Sequence, residues 1–278
     1  MQALKISIVT PSYNQGNFIE EAIQSVLAQN HQNFEHIIID GGSTDNTLEV
    51  FRKYPHLKWV SESDKGQSDA LNKGFLKAQG DWILWLNADD ILFKGAIDAY
   101  LEAANRYKKS NVFYGHVLFF NENKAILKTQ YLLKFRKYFT VLRINTPPTT
   151  GSFFKAELLQ QNLLDTSFHY MMDVEWFCRC NSKIFVHVIN KIVVGFRVSS
   201  SNKTSNQILH GILNEQQISE TDRLYTKYFY PYVKKLPNSI QKRSFTYLRF
   251  PIKLFYGLLK LKYISKRFKK QGSLILMN

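Results

Sequence analysis

The sequence predicts an α/β fold built on a mainly parallel sheet flanked by helices, and two observations carry that prediction. Over roughly the first ninety residues, short β-branched runs alternate with amphipathic stretches at helical spacing. Each of those β-branched runs then gives way to a polar or acidic cluster.

Residues 5–10 form the first run, stopped by Pro11, which has no N–H to offer a strand ladder. Phe18, Ile19, Ala22, Ile23, Val26 and Leu27 follow at helical spacing, and Asn17 with Glu20 three residues later supplies a cap for that helix. Residues 36–40 read as a strand buried on both faces and ended by Gly41-Gly42-Ser43, with Leu48 and Phe51 on the next helix. Residues 57–60 are a third short strand, and Leu71, Gly74, Phe75 and Ala78 mark a helix closed by Gly80. The fourth apolar strand, residues 82–86, runs straight into Asn87-Ala88-Asp89-Asp90.

Right-handed crossovers turn this order into a parallel sheet. Ligands of such sheets sit beyond the carboxyl ends of the strands. Ser12, Tyr13 and Asn14, then Asp40, then Glu62 and Asp64, then Asp89 and Asp90 all fall at those ends, so one shared cleft is expected.

Past residue 110 the signals are mixed. Residues 112–120 are strand-like, 131–142 are basic and aromatic, and 145–152 form a loop containing Pro147-Pro148 and Gly151. Residues 171–180 look helical, and 184–198 read as two short strands broken near Asn190 and Gly195. No internal repeat or low-complexity segment is present.

Composition bounds the answer. The 278 residues are 45% hydrophobic, enough for a substantial core, which excludes a disordered chain and a disulfide-stapled mini-protein. Cys178 and Cys180 are too few for a disulfide framework or a closed zinc site, and buried thiols in a reducing compartment are expected. The apolar stretch before Pro11 is too short for a signal-peptide core, and no run reaches the roughly 18 apolar residues of a membrane span. A cytoplasmic protein is the expectation.

The net charge of +15 is unevenly placed. Asp222 is the last acidic residue; residues 223–278 hold fourteen Lys or Arg, leaving residues 1–222 with 23 basic and 22 acidic side chains. The expected division is a nearly neutral domain over 1–222, with halves of about 1–110 and 111–222, and a basic region over 223–278.

Four segments carry a resemblance. Thr10-Pro11-Ser12-Tyr13-Asn14, Ile39-Asp40-Gly41-Gly42-Ser43-Thr44-Asp45, the stretch from Ser61 to Gly74 with Asp64 and Asp69, and Leu86-Asn87-Ala88-Asp89-Asp90 resemble family 2 glycosyltransferases. The family implies a GT-A, Rossmann-like fold and inverting transfer of a sugar from a nucleotide-sugar donor, with a UDP-sugar the first expectation. By that resemblance Thr10, Pro11 and Tyr13 line the nucleotide pocket, Asp40 accepts the nucleobase N–H, and Asp64 is a second nucleotide contact. A carboxylate suits the nucleobase because a charge-assisted bond is strong in a partly dry pocket. The alternative for Asp40 is a turn residue, and for Asp64 a solvated turn carboxylate.

Asn87-Ala88-Asp89 stands in the place of the family's D-x-D motif, so Asp89 would touch a divalent cation, Mn²⁺ or Mg²⁺, and Asn87 and Asp90 would lie on the substrate side. Asn87 keeps an oxygen but removes a charge. Met172-Asp173-Val174-Glu175-Trp176, followed by Arg179, resembles the segment that supplies the general base, which assigns Asp173 to the acceptor hydroxyl. The alternative makes Asp173 a helix N-cap and Glu175 a surface charge. Met172 replaces an acid found in many members, and Val198 in Phe196-Arg197-Val198-Ser199 replaces a histidine found in many members, so either His187, Arg197 or Lys203 substitutes for it or the site makes do with fewer contacts.

The tail adds a partner. If the chain from Leu248 is helical, Arg249, Lys253, Lys260 and Arg267 form one charged stripe beside Leu254, Phe255, Leu258 and Leu261, a basic amphipathic helix suited to an anionic membrane surface. A glycan or lipid-linked acceptor in cell-surface polysaccharide assembly, met on the inner face of the cytoplasmic membrane, follows from the resemblance and the tail together. The competing reading of the tail is a helical layer packed on the domain. Nucleic acid is not expected, since no binding motif accompanies the charge. A catalytically inactive, glycosyltransferase-like scaffold that binds nucleotide or glycan is the second functional class; Asn87, Met172 and Val198 are its basis. No motif fixes the oligomeric state.

Overall fold

The four apolar runs of the amino-terminal half become β1 (Ile6–Ser12), β2 (Phe34–Asp40), β3 (Leu57–Ser61) and β4 (Trp82–Trp85) in a computed structural model, which describes residues 4–132, 147–200, 202 and 213–229. They pair in parallel in the order β3-β2-β1-β4. The register sets Ser12 beside Asp40 and Asp40 beside Ser61, so polar strand ends stand in a row.

Helices α1 (Ile19–Leu27), α2 (Thr47–Arg52) and α3 (Gln67–Lys77) make the crossovers. Side chains alternate across a strand, so Ile37 and Ile39 join Ala70, Leu71 and Phe75 of α3 while Ile38 joins Ile19, Ile23, Val50 and Phe51 of α1 and α2. This is why β2 reads as a continuous apolar run. Gly74 lets α3 approach β1 closely, since a Cβ there would lie 2.4 Å from Val9 Cγ1.

Asn17 does not cap α1. The cap position is Phe18, whose side chain makes no capping bond, and the N–H groups of Phe18 and Ile19 both donate to the Gln15 carbonyl at 2.9 Å. The loop before α1 is already tied down by the chain around residues 43–47, so the backbone supplies the cap.

The second half adds β5 (Ile91–Leu92), α4 (Ala96–Arg106), β6 (Val112–Asn121), β7 (Ile126–Gln130), β8 (Ser152–Lys155), α5 (Ala156–Gln160), α6 (Met172–Arg179), β9 (Val186–Val198) and α7 (Glu215–Leu224), followed by a π-helical turn (Tyr225–Phe229). The sheet order is β3-β2-β1-β4-β8-β6-β9-β5, with β7 paired to β6. Strand β8 joins the halves, running antiparallel to both β4 and β6. Phe153 of β8 is held between Trp82, stacked at 4.7 Å, and Tyr100 of α4, stacked at 5.1 Å. Offset-stacked rings add to the area they bury.

The stretch expected as two short strands is one, β9, running parallel to β6. The pairing slips between Tyr114 and His116, so the irregularity near Asn190 is a bulge rather than a break. Gly195 lies within the strand because the partners are close: a Cβ there would stand 2.8 Å from Ile91 and 2.9 Å from Phe120.

Helix α7 and the turn after it pack against the rest of the domain through Leu224, Tyr225 and Tyr228. Residues 223–229 therefore belong to the packed unit although the charge count puts them in the tail, and the stripe expected from Leu248 onward lies outside the described residues. Cys178 and Cys180 are buried thiols, as expected. Among the described residues no helix is long and apolar enough to cross a membrane.

Buried in this core, His36 has its Nε2 2.9 Å from Thr10 Oγ1. Burial, with a smaller push from His56, lowers its pKa from 6.5 to about 3. The unfolded chain thus binds a proton that the folded chain refuses between those values, and stability falls as pH drops through that window, by up to about 1.4 kcal/mol per unit. Urea midpoints measured at pH 7 and pH 5 should fall for the wild type, and His36→Gln should show a shallower fall; equal slopes would contradict this account.

Candidate active site

The cleft opens beyond the carboxyl ends of β1 to β4, and its walls are loops tied to one another. After β1, Asn14 takes a left-handed φ of 52°. Its N–H donates to Ser43 Oγ at 2.7 Å and its Oδ1 accepts from the Thr44 N–H at 2.9 Å. Gln15 N–H donates to Thr47 Oγ1 at 2.9 Å and Gly16 N–H to Asp45 Oδ2 at 3.0 Å. The loops after β1 and β2 are thereby one unit.

Thr10 and Pro11, expected to line a nucleotide pocket, are buried within the strand, with Thr10 facing His36. Tyr13 is 59% exposed at the mouth of the cleft. Between them lies Ser12, whose buried Oγ has no hydrogen-bond partner among the described residues. A buried hydroxyl left unpaired costs free energy, so Ser12 is an atom waiting for a partner, and it stands at the strand end where a ligand belongs.

Asp40 is fully buried. Oδ1 accepts from Ser43 Oγ at 2.6 Å, while Oδ2 accepts from Ser61 Oγ at 2.7 Å and from the N–H groups of Ser43 at 2.8 Å and Gly42 at 3.2 Å. Its carboxylate organises the turn after β2 and holds it to β3. Asp64 accepts the Gly66 N–H at 2.7 Å and faces Gly41, where a Cβ would come within 2.8 Å of Asp64 Oδ2. Asp40 and Asp64 thus flank the same glycine turn.

At the end of β4 the three polar side chains diverge. Trp85 Nε1–H can only donate, so the Asn87 atom 3.0 Å away is the oxygen. That oxygen also accepts from Gln67 at 3.2 Å, and the Asn87 amide nitrogen donates to Asp90 Oδ2 at 3.1 Å. Asn87 is therefore a connector beneath the cleft.

Asp90 points inward as well. It is fully buried and accepts the Arg197 N–H at 3.0 Å, the Asn87 amide and the Thr150 side chain. Burial, then the neighbouring Asp89 charge, push its pKa well above its ordinary value. Asp90 was expected on the substrate side; the structure uses it to join the two halves of the sheet.

Asp89 is the remaining carboxylate of this segment. It is half-buried, and burial raises its pKa while Arg197 and Asn202 pull it back. The Asn202 amide donates to Asp89 Oδ2. The Asn202 oxygen in turn accepts from the N–H and hydroxyl of Ser199. Asn202 was not anticipated; a short polar side chain just past the end of β9, three residues after a serine, is the turn signal that points to it.

Of the substitutes for the missing histidine, Arg197 is buried, its Nε donating to the Asp89 carbonyl at 3.0 Å and its Nη2 pairing with Glu21 at 3.1 Å. Phe18 and Phe120 sandwich its guanidinium at 4.9 and 4.7 Å. His187 stacks on Tyr107 near the start of β9, away from the cleft. Lys203 lies outside the described residues.

A chain of contacts brings Asp173 to the same end of the sheet. Gln67, bonded to Asn87, precedes Ser68, whose hydroxyl contacts the Phe168 carbonyl at 3.1 Å and Met172 Sδ at 2.9 Å. Asp173 follows on the first turn of α6, half-buried. Met172 occupies a buried position, where an acid would be costly. Asp173 is not the N-cap, which is Met171, and Glu175 is no surface charge: it is fully buried and paired with Arg179 and Lys227.

For a divalent cation, the donor set is small. Asn87 and Asp90 are turned away, and among the described residues no group of three or more His, Cys, Asp or Glu side chains is placed to hold a metal. One half-exposed carboxylate fits a cation that arrives with a diphosphate, as Mg²⁺ does when it takes one or two carboxylates plus substrate oxygens.

A parallel half-sheet with this cleft, continued by antiparallel strands that return a helix to the same edge, defines a GT-A domain. The chain belongs to glycosyl transferase family 2, whose family model matches residues 7–165. An uncharacterized glycosyltransferase of Rickettsia conorii is 28% identical over 240 residues, covering 81% of this chain and 38% of that protein. A putative teichuronic acid biosynthesis glycosyltransferase of Bacillus subtilis is 36% identical over 103 residues, covering 35% of this chain and 40% of that protein. The chain spans between 29% and 40% of the length of four curated relatives it matches, these two included.

Among solved structures, residues 1–349 of S. aureus TarS in complex with UDP-GlcNAc align with a TM-score of 0.61 at 17% identity, over 86% of this chain and 78% of that one. The mannosyltransferase PcManGT from Pyrobaculum calidifontis, in complex with GDP-Man and Mn²⁺, aligns with a TM-score of 0.58 at 18% identity, over 97% and 76%. At these identities the likeness is one of fold.

The geometry explains why an amide stands at position 87. Asn87→Asp would place a second carboxylate 3.1 Å from buried Asp90 and remove the donor between them. The expected outcome is a loss of about 1–3 kcal/mol of stability at pH 7.5, read by urea denaturation; unchanged stability would contradict the connector role.

Proposed function

We propose that the chain is an inverting glycosyltransferase that moves a sugar from a nucleotide-sugar donor, most simply a UDP-sugar, to a hydroxyl of a glycan or lipid-linked acceptor in cell-surface polysaccharide assembly. The observation that carries this reading is the pairing, at adjacent strand ends, of the unpartnered Ser12 hydroxyl with the half-exposed Asp89 carboxylate. Family membership and relatives such as the teichuronic acid protein support it. Solved neighbours carry UDP-GlcNAc and GDP-Man, which supports a nucleotide-sugar donor for this chain.

In this reading the nucleoside binds against Tyr13, Ser12 and the glycine turn flanked by Asp40 and Asp64. A divalent cation, when bound, would neutralise charge developing on the leaving diphosphate, and Asp89 is the side chain that would hold it. Asn202 and Arg197 keep Asp89 in place from either side, through its carboxylate and its carbonyl. Asp173, arriving from the second half of the domain, takes the proton of the acceptor hydroxyl as that oxygen attacks the anomeric carbon from the face opposite the leaving group. A single displacement inverts the configuration.

The scaffold reading loses two of its supports. Asn87 and Met172 answer to local packing, so neither marks a site that has lost its purpose.

A thermal-shift panel of UDP-, GDP- and dTDP-sugars with and without Mn²⁺ tests the donor site. A UDP-sugar at 100 times its Kd should add about 2.7 kcal/mol of stability, and Asp89→Asn should remove the Mn²⁺-dependent part. Asp173→Asn should keep the shift and lower kcat by about 10²–10⁴-fold. If no sugar nucleotide stabilises the protein, or Asp173→Asn turns over like the wild type, the corresponding assignment fails.

The basic region supports a cytoplasmic protein held peripherally at the inner face of the membrane, since residues 223–278 carry fourteen Lys or Arg and no acid. Deleting residues 240–278 should abolish salt-sensitive binding to phosphatidylserine vesicles and leave the donor thermal shift intact. Undiminished vesicle binding by the shortened chain would refute the tail's role.

A further inference from the structure

Two carboxylates outside the cleft hold the helix that carries Asp173, one just before its first turn and one within it. Glu220, on α7, is 3% exposed, and no ion pair to it occurs among the described residues. It instead accepts three consecutive backbone N–H groups, those of His169, Tyr170 and Met171, each at 2.9 Å. These amides lead directly into α6, so a buried charge sits on the positive end of that helix. Gln216 adds a side-chain donor at 3.3 Å.

The body of α6 is held by the reciprocal arrangement. Glu175, fully buried, receives Arg179 Nε at 3.0 Å from its own helix, and Lys227 Nζ at 3.1 Å and Tyr228 Oη at 2.6 Å from the π-helical turn after α7. Burial and then the hydrogen bond to Glu175 raise the Tyr228 pKa, so the phenol stays a donor. Residues 215–229 thus grip α6 before Met172 and again at Glu175, on either side of Asp173. All of these contacts lie beyond residues 7–165, where the family model matches.

We propose that Glu220 is a positioning residue for the general base: through the amides of residues 169–171 it fixes where the first turn of α6 presents Asp173, with Tyr228 and Glu175 securing the same turn from below. The proposal rests on the reading of Asp173 as the base. A buried carboxylate with three amide donors tolerates little substitution: glutamine keeps one acceptor oxygen and turns an NH₂ toward an N–H. Displacement of a reacting group by about 1 Å can cost on the order of 10²-fold in rate. The carboxylates of Glu220 and Glu175 take their partners from residues 169–171, Gln216, Arg179, Lys227 and Tyr228, none of which lies at the ends of β1 to β4.

A double-mutant cycle in the full chain tests it. Glu220→Gln, Asp173→Asn and the double variant are compared for release of nucleoside diphosphate from whichever UDP-, GDP- or dTDP-sugar the wild type turns over with Mn²⁺. Water serves as acceptor, and the donor thermal shift is followed in parallel. Glu220→Gln is expected to lower kcat at least tenfold with KM for donor and the thermal shift unchanged, and to lower the residual rate of Asp173→Asn by less than twofold, because groups acting through one another are not additive. Equal factors in both backgrounds, or a wild-type kcat for Glu220→Gln beside an inactive Asp173→Asn, overturn the positioning role alone. A wild-type kcat for Asp173→Asn, or no turnover by the wild type, overturns the underlying reading and the proposal with it. Should Glu220→Gln fail to fold, Tyr228→Phe, which removes one hydroxyl from the clamp, is judged by the same criteria.

Discussion

The structure turns on one buried carboxylate. Asp90 lies at the end of the parallel half, yet it accepts hydrogen bonds from Arg197 on β9, Thr150 before β8 and Asn87 after β4. Those three segments come from distant parts of the chain and have no shared strand at that point. A buried polar group is tolerated only when its hydrogen-bonding capacity is filled, so the three donors are constrained to meet. Asp89, the preceding residue, is held beside that meeting by Arg197 and Asn202.

The same constraint sorts neighbouring side chains that look alike on paper. Asp89 and Asp90 are adjacent acids, but one faces the cleft and the other faces the protein. Asn87 and Asp89 both carry a side-chain oxygen, but the indole of Trp85 claims the first. On the proposed reading, chemistry in the cleft is left to few groups: a carboxylate at Asp89, a hydroxyl at Ser12, an aromatic ring at Tyr13 and the carboxylate of Asp173. Their supports are buried and numerous. Such a division, with spare reactive groups on a crowded foundation, is what preorganisation requires.

Much of the first half is legible in the sequence because its strands are apolar runs between strong punctuation, as in Ile37-Ile38-Ile39 before Asp40-Gly41-Gly42. The second half yields less. Strand β5 has two residues and β8 four, and strands so short exist only through partners far along the chain. Gly195 resembles a breaker but marks close contact with Ile91 and Phe120. The location of the cleft follows from strand ends, whereas the direction each acid points depends on Trp85, Arg197 and Thr150, which no local pattern connects. Glu175 is the sharpest case. A helical glutamate four residues before an arginine reads as a solvated pair, and only the arrival of Tyr228 and Lys227 makes it interior.

The placement of β8 also governs the order in which the protein can be completed as it is made. Strand β4 is Trp82-Ile83-Leu84-Trp85, and the edge that β8 will occupy stays unpaired until residues 152–155 have left the ribosome. During that interval, about 4–14 s at ordinary synthesis rates, an apolar strand presents its open backbone to any neighbouring chain. Strand β4 itself carries no proline or charge to blunt that edge. The β4 edge is thus closed only when the middle of the chain arrives, well after the parallel half has been made.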